Sequence, residues 1–318
     1  MRLQTGLLLA LVAAAAAVPL GAQDDSAQPF LGAWNLTGDA PNDTFVYWLE
    51  VKNEGGKLSA MFLNRGGSPV PAVDPRITNG ELTFSIASNA PTKPAVSLRR
   101  SGDALVGTVT AAQTVKVTGG RPPQWGPCDA NAKHTFGKPV PLFDGTSMAG
   151  WDVQHKSRES GWSIEDGAMT NVPKANNLIS KERFKDFRLD VEYKVSPKGN
   201  SGIYLRGRYE LQVLDDAGTA PESHGHMAIY ARKAPDANAS KPAGEWQTAQ
   251  ITLVGNCVTV VLNGKTVHDN ARIPAITGGA LDAKEAEPGP IMIQGDHEKV
   301  WYRKVVVTPI TGSASGSR

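Results

Sequence analysis

Short runs of alternating apolar and polar residues, separated by turn residues, fill most of this 318-residue chain. No long segment shows apolar residues at helical spacing, and 33 glycines and 22 prolines punctuate the runs. Alternation with a period of two is typical of half-buried strands, and many short strands at regular spacing favour a barrel or a sandwich. The sequence therefore predicts an all-β protein.

The strand runs form two series, which predicts two domains. Residues 28–117 predict a small β-barrel or β-sandwich domain, and residues 118–139 predict a linker because glycine, proline, lysine and asparagine dominate there. Residues 140–310 predict an antiparallel jelly-roll sandwich that contains an Asn-Gly hairpin at 262–267. The glycine- and serine-rich residues 311–318 are predicted to be disordered.

The first 22 residues have the three parts of a secretory signal. Met1-Arg2 gives a basic start, an apolar run follows from Leu7 to Leu20, and small residues precede a polar stretch. The apolar run is too short and alanine-rich for a membrane span, and no later segment is long and apolar enough to be one. We expect cleavage after Ala22 and a periplasmic or secreted protein, with a retained N-terminal anchor as the alternative.

Charge and motifs argue against several classes of function. Acidic and basic residues nearly balance, with a net charge of +2, and no basic stripe predicts nucleic-acid binding. The chain has no G-x-S-x-G, H-E-x-x-H or Walker motif. The pair Gly119-Gly120 does not lie between a strand and a helix, so a nucleotide site is not expected.

The chain has two cysteines, Cys128 in the predicted linker and Cys257 in the second strand series. Export would permit a disulfide, although one pair is not a disulfide framework. A bond between them would tie the linker to the second domain. Two unrelated thiols are the alternative.

A strand pair within residues 199–216 carries the first candidate site. Strand alternation places its apolar residues on one face and its polar residues on the other. The polar face is expected to present Arg206, Glu210, Gln212 and, at its end, Asp215. A solvated outer face without function is the alternative.

Other segments combine polar groups with aromatic rings, a combination that suits sugars because rings stack on a pyranose while polar groups bind its hydroxyls. The candidates from these segments are Tyr230, Lys241, Trp246, Gln294, His297 and Arg303. His224 and His226 could also ligate a metal, but two loop histidines bound to nothing are the alternative. We expect six of the polar side chains to converge on one concave surface: Arg206, Glu210, Gln212, Gln294, His297 and Arg303.

Seven segments of the second series carry a family resemblance: PLFDGTSMAGW, WSIEDGAM, FKDFRLDVEYKV, GNSGIYLRGRYELQVLD, NASKPAGEWQTAQI, VLNGKTVHD and GPIMIQGDHEKVWYRKVVV. In this order they resemble the 3-keto-disaccharide hydrolase domain, which implies a concanavalin-like jelly roll over about residues 140–310. Three motifs differ from the family's usual pattern. Gly295 interrupts the usual Gln-Asp-His, Gln247 follows Trp246 where asparagine is frequent, and Lys304-Val305 follows Arg303 where Asn-Ile is frequent.

The resemblance implies cleavage of glycosides whose sugar ring has been oxidised at C3, which would require an upstream oxidoreductase that makes the ketone. Such a site needs a base for the C2 proton, a group that stabilises the enolate and an acid for the leaving oxygen. We expect His297 or Glu210 to be the base and the other to assist the leaving group. Arg206 and Lys241 are the expected stabilisers, and a divalent cation could serve instead.

Two other interpretations stay open. A non-catalytic, lectin-like jelly roll could bind carbohydrate on the same face, or an ordinary glycosidase could use two carboxylates. The density of ionisable residues around Glu210, Asp215 and His297 favours an enzyme over a lectin. No clear pair of isolated carboxylates marks an ordinary glycosidase.

Overall fold

The computed structural model describes residues 25–87 and 93–314, so the predicted signal peptide at 1–22 lies outside the described residues. In these ranges the regular structure consists of strands and one short 3-10 helix at Asp25–Phe30. No helix in them is long and apolar enough to cross a membrane. The all-β prediction is confirmed.

The first domain is a closed barrel of eight antiparallel strands. The strands are β1 (Gly32–Gly38), β2 (Val46–Glu54), β3 (Lys57–Asn64), β4 (Val70–Thr78), β5 (Glu81–Ile86), β6 (Ala95–Ser101), β7 (Ala104–Thr110) and β8 (Thr114–Gly120). Alternate residues point inward, and Trp34 is fully buried with its indole N–H donating to the Phe30 carbonyl at 2.8 Å. Pairing of β1 with β8 closes the barrel and leaves it without a free edge.

The second domain is a sandwich of two antiparallel sheets. Its strands are β9 (Lys133–Phe136), β10 (Val140–Phe143), β11 (Trp151–Val153), β12 (Trp162–Glu165), β13 (Ala168–Asn171), β14 (Leu178–Ser180), β15 (Phe187–Val195), β16 (Asn200–Leu205), β17 (Tyr209–Leu214), β18 (Gln247–Val254), β19 (Cys257–Leu262), β20 (Lys265–Arg272), β21 (Met292–Ile293) and β22 (Val300–Ala314). The larger sheet has the order β12-β13-β22-β15-β18-β19-β20, with β9 and β10 also paired to β22. The smaller sheet has the order β11-β14-β21-β16-β17.

Strand alternation builds the core between these sheets. In β15 every second residue from Phe187 to Val195 is buried, as expected for a strand with one face toward the opposite sheet. Asn263 and Gly264 both have positive φ, at 51° and 83°, so the predicted Asn-Gly hairpin between β19 and β20 is confirmed. The predicted jelly-roll sandwich is therefore the architecture of the second domain.

The C-terminal segment differs from the expectation of disorder after Ile310. Strand β22 runs on to Ala314 and pairs with β9, which lies inside the predicted linker. These backbone pairs order a glycine- and serine-rich stretch that has few side chains to pack. The prediction of disorder is wrong for residues 311–314, and residues 315–318 lie outside the described part of the chain.

A disulfide joins Cys128 to Cys257 across 129 residues of sequence, with their Cα atoms 5.6 Å apart. Of the two alternatives that the sequence left open, the structure shows the bonded one. The bond ties the linker to the start of β19, close to where Arg272 donates to the Gly126 carbonyl at 2.8 Å. It thereby fixes the path of the chain between the two domains.

Replacing both cysteines by alanine should lower the free energy of unfolding by about 2–4 kcal/mol, because the cross-link restricts the unfolded chain. Denaturant unfolding without reductant measures this difference. With reductant, the wild-type protein and the double variant should unfold at the same denaturant concentration. Equal stability of the two proteins without reductant would show that the bond contributes nothing.

The barrel and the sandwich meet at an interface that contains both apolar contacts and hydrogen bonds. Val46, Trp48 and Leu63 of the barrel belong to the same buried cluster as the sandwich core. The Asn35 amide donates to the buried Glu285 carboxyl group at 2.6 Å. Because several independent contacts hold the barrel against the sandwich, barrel loops at this interface have a defined place relative to the smaller sheet.

Candidate active site

A cleft of about 340 Å³ lies on the outward face of the smaller sheet, next to the barrel. The polar and aromatic side chains that line it are Asn200, Tyr204, Glu210, Gln212, Tyr230, Gln294, Asp296 and His297. Gly66 and Gly67 of the barrel and the facing Gly278 and Gly279 complete its wall. Both domains therefore contribute to one cleft.

Strand register brings the floor of the cleft together. Tyr204 lies opposite Glu210 and Gly202 lies opposite Gln212 in the β16–β17 pair. Gln294 joins the same row, since its backbone N–H donates to the Gly202 carbonyl at 2.9 Å. Residues directly opposite each other share a face of the sheet. The predicted polar face of this strand pair is thus present, and it lines a concave surface.

Glu210 is the most perturbed carboxyl group of the cleft. It is 4% exposed, and burial raises its pKa to about 8. The hydrogen bond from the Tyr204 hydroxyl opposes this shift, whereas the nearby Asp296 carboxylate adds to it. Near neutral pH the carboxyl group therefore carries a proton that it can give to a bound substrate.

Tyr204 connects Glu210 to the far wall of the cleft. Its hydroxyl lies 2.8 Å from Glu210 Oε2 and 2.9 Å from the Gly278 carbonyl oxygen. One hydroxyl proton cannot serve two acceptors fully, so both contacts are satisfied when Glu210 itself is protonated.

Gly202 leaves the space that the Glu210 side chain occupies. A Cβ atom built on Gly202 would collide with Glu210 Oε1. Because glycine has no side chain, the Glu210 carboxyl group can occupy the space next to Gly202 on the neighbouring strand.

Asp296 and His297 line the same cleft and lie just after β21. Their side chains are about half exposed, at 43% and 46%, and His297 Nε2 lies 3.9 Å from Asp296 Oδ1. The backbone around them is anchored, because the Lys174 N–H donates to the His297 carbonyl at 2.7 Å and the Asn171 amide donates to the Gly295 carbonyl at 3.0 Å. The imidazole is thus presented to solvent in the cleft from a fixed backbone.

Two amide side chains line the same cleft. Gln212 Oε1 and Gln294 Oε1 have no hydrogen-bond partner among the described residues, although both atoms are buried. Buried polar atoms normally have a hydrogen-bond partner. Two acceptor atoms without a partner in a cleft wall could therefore accept from a ligand's hydroxyl groups after small side-chain rotations. Tyr230 closes this side with its ring against His224, at 5.1 Å between ring centres.

The structure does not bring Arg206 to the cleft. Strand β16 ends at Leu205, and Arg206 takes a positive φ of 53° as it enters the turn, so strand alternation no longer sets its direction. Its guanidinium is buried, donates to the Gly255 carbonyl and lies 5.3 Å from the Tyr209 ring. Tyr209 faces away from Glu210, so Arg206 neither pairs with Glu210 nor reaches its side of the sheet.

Arg303 also lies outside the cleft, and so does Trp246. Arg303 belongs to β22 of the larger sheet, is exposed on the outer surface of the sandwich and donates to Glu192 Oε2 at 2.6 Å. Its guanidinium covers the Trp246 ring at 4.4 Å. The outer face of one sheet of a sandwich is opposite to the outer face of the other. Four of the six expected residues therefore line one cleft, and Arg206 and Arg303 do not.

The remaining expected binding residues have local partners. The Lys241 ammonium donates to the Trp246 carbonyl at 3.0 Å, and Asp215 accepts from the Lys198 backbone N–H at 2.8 Å. The two loop histidines are separated: His226 is buried with Nε2 2.6 Å from the Tyr193 hydroxyl, while His224 Nε2 lies 2.8 Å from Ser68 Oγ. These contacts do not place Lys241 as a stabiliser of charge in the cleft or His224 with His226 as metal ligands.

Several cleft residues were not predicted from sequence. Tyr204 and Asn200 have the same strand parity as Glu210 across the hairpin, so alternation combined with hairpin register could have found them. Asp296 adjoins His297 in sequence. The barrel glycines Gly66 and Gly67 carried no local signal.

Within the described ranges, no group of three or more histidine, cysteine, aspartate or glutamate side chains is arranged to hold a metal ion.

The fold and the cleft together define a jelly-roll protein with a cleft of polar and ionisable side chains on the outer face of its smaller sheet. Residues 138–308 match the family described as the 3-keto-alpha-glucoside-1,2-lyase-like domain, and the chain belongs to this family. The match covers the sandwich and leaves out the barrel, so the resemblance seen in the sequence motifs is confirmed for the second domain.

A curated 3-keto-disaccharide hydrolase from Bacteroides thetaiotaomicron is 29% identical over 165 residues, which cover 41% of this chain and 54% of that protein. The chain thus spans about half the length of that curated relative. A crystal structure from Parabacteroides distasonis, described as a candidate glycosyl hydrolase, has a TM-score of 0.47 and 28% identity over 54% of this chain and 84% of its own. A second structure from the same organism, similarly described, has a TM-score of 0.44 and 24% identity over 55% of this chain and 100% of its own. Both TM-scores are below 0.5. The fold class follows from the strand pairing of this chain.

Proposed function

We propose that this protein is a glycoside hydrolase that cleaves disaccharides and other glycosides carrying a ketone at C3 of the sugar ring. Family membership and the name of the Bacteroides relative support this class of substrate. The observation that carries the proposal is the cleft itself, in which Glu210, with a pKa of about 8, and the exposed His297 line the same space. A proton donor and a proton acceptor in one cleft suit a reaction with two proton transfers.

The C3 ketone makes the neighbouring C2–H bond acidic. A base removes the C2 proton, and the bonding electrons move onto the ketone oxygen to give an enolate. The enolate then re-forms the ketone and a C1–C2 double bond while the C1–O bond breaks, and the leaving oxygen takes up a proton. Addition of water across the double bond, with OH at C1 and H at C2, makes the net reaction a hydrolysis.

His297 and Glu210 fit the two proton transfers of this sequence. We assign His297 as the base at C2, because its imidazole is exposed in the cleft and histidine exchanges protons near neutral pH. We assign Glu210 as the acid for the leaving oxygen, because its carboxyl group is protonated near neutral pH. During addition of water the roles reverse, so that Glu210 accepts a proton from water and His297 returns one to C2.

The enolate oxygen needs hydrogen-bond donors, and the cleft supplies neutral ones. The side-chain amides of Asn200, Gln212 and Gln294 line the same cleft as Glu210 and His297, and amide side chains can stabilise an oxyanion. They take the place of Arg206 and Lys241, which have partners elsewhere.

An ordinary glycosidase is the second candidate, because two carboxyl groups, Glu210 and Asp296, line the cleft and one of them has a raised pKa. Such a pair can serve as acid and as nucleophile or base without any ketone. The two candidates differ in what they require of the substrate.

The enzyme should cleave a 3-keto glucoside and leave the parent glucoside intact, because the unoxidised ring has no carbonyl to acidify C2. Incubation with each compound, followed by chromatographic analysis of the products, measures this difference. Equal turnover of both compounds would favour the two-carboxylate glycosidase. Binding of both with turnover of neither would favour a lectin-like protein.

We also propose that the protein acts outside the cytoplasm, downstream of an oxidoreductase that converts the C3 hydroxyl to a ketone. The signal-like residues 1–22 and the Cys128–Cys257 disulfide support export, since disulfides persist in oxidising compartments. The requirement for a ketone supports the upstream oxidation.

A further inference from the structure

A loop of the barrel, residues 65–69 between β3 and β4, forms part of the cleft wall. Gly66 and Gly67 line the cleft. The loop is held against the sandwich, because the Gly279 N–H donates to the Arg65 carbonyl at 2.8 Å and the Ser68 hydroxyl lies 2.8 Å from His224 Nε2. The barrel therefore contributes a fixed wall to a cleft whose other groups come from the family domain.

The contact between the loop and the sandwich is very close. A Cβ atom on Gly278 would collide with the Gly67 backbone, and a Cβ atom on Gly279 would collide with the Tyr204 hydroxyl. Backbone thus packs on backbone at this point, next to the carbonyl of Gly278 that accepts from Tyr204. The loop therefore adjoins Tyr204, which contacts Glu210. His297 follows β21, whose chain runs from the row of Tyr204 toward that of Gly202.

This placement assigns a part of the substrate to the loop. If Glu210 protonates the leaving oxygen, the unit attached to that oxygen extends from the Glu210 end of the cleft, toward Gly66 and Gly67. We propose that the β3–β4 loop of the barrel selects the leaving group, so that the barrel determines which 3-keto glycosides the sandwich cleaves. This inference rests on the proposed function and adds a role for a domain outside the family match.

Gly66 offers a way to test the loop without disturbing the fold. Its φ is not in the positive range, and a Cβ atom built on it meets no atom of the described residues within 4 Å. A side chain at this position should therefore extend into open space at the cleft wall without backbone strain. Gly67 is unsuitable because its φ is 71°.

Gly120, at the end of β8, is a matched control. It belongs to the same barrel, its φ is also not positive, and within the part of the chain that the structure describes a Cβ atom on it also meets nothing within 4 Å. It is exposed and does not line the cleft. Gly66→Trp and Gly120→Trp thus add the same side chain at sites that differ in access to the substrate.

The experiment compares the two variants with wild type on a 3-keto disaccharide and on methyl 3-keto-glucoside, whose leaving group is methanol. Gly66→Trp should lower kcat/KM for the disaccharide by at least about tenfold, the scale of a lost or blocked pocket contact, and change kcat/KM for the methyl glycoside by less than about twofold. Gly120→Trp should match wild type on both substrates. Thermal unfolding of each variant checks that the fold is retained.

Wild-type rates of Gly66→Trp on both substrates would overturn the assignment of the loop, and so would an equal loss on both. A wild-type enzyme that cleaves neither compound would overturn the proposed function as well. If wild type cleaves both substrates but Gly66→Trp does not discriminate between them, the loop assignment is wrong and the proposed function still stands.

Discussion

Glu210→Gln should cleave a 3-keto disaccharide about 10²–10⁴-fold more slowly than wild type, yet retain most activity on 3-keto 4-nitrophenyl glucoside. Glutamine has nearly the size of glutamate, but its amide cannot give a proton to the leaving oxygen. A sugar alkoxide is a poor leaving group and needs that proton, whereas 4-nitrophenolate leaves without it. Steady-state kcat/KM values for both substrates measure the effect, which identifies an acid rather than a residue that only shapes the cleft.

The pH dependence of wild type provides the control for this role. Because burial raises the pKa of Glu210 to about 8, the acid loses its proton as pH rises through that value. The value of kcat/KM for the disaccharide should then fall above about pH 8, and the fall should be absent in Glu210→Gln. A rate that instead rises through pH 8, with both substrates equally slow in the variant, would identify Glu210 as the base at C2.

The sequence predicted the parts of this site that follow from local strand geometry. Alternation placed Glu210 and Gln212 on one face, and β16 and β17 pair so that this face lines the cleft. Alternation failed at Arg206 because the strand had already ended there and the residue enters a left-handed turn. Strand β16 ends one residue before Arg206. This difference of one residue in the strand boundary decides whether the side chain faces the cleft or the opposite side of the sheet.

Other features depend on how sheets and domains pack, which local patterns do not encode. Arg303 and Trp246 have the residue types of a sugar site, but they cover each other on the outer face of the larger sheet. The sequence could not tell the two outer faces of the sandwich apart. Gly66 and Gly278 are more than 200 positions apart in the chain, and only docking of the barrel brings their segments together.

His297→Ala should lower kcat/KM about 10²–10⁴-fold on the disaccharide and on the 4-nitrophenyl substrate alike, because removal of the C2 proton precedes departure of either leaving group. The side chain is 46% exposed and supports no core packing, so stability should change by less than about 0.5 kcal/mol. His155→Ala is a suitable control, because this histidine is also exposed and does not line the cleft.

Exchange of the C2 proton in D₂O separates the roles of the two residues. Glu210→Gln should still exchange the C2 hydrogen of a 3-keto disaccharide for deuterium, because it keeps the base and lacks only the acid for the leaving oxygen. His297→Ala should exchange it about 10²–10⁴-fold more slowly than Glu210→Gln, as measured by NMR of the recovered substrate. Fast exchange in His297→Ala would show that another group removes the proton, and Asp296, 3.9 Å from the imidazole, would then be the first residue to replace.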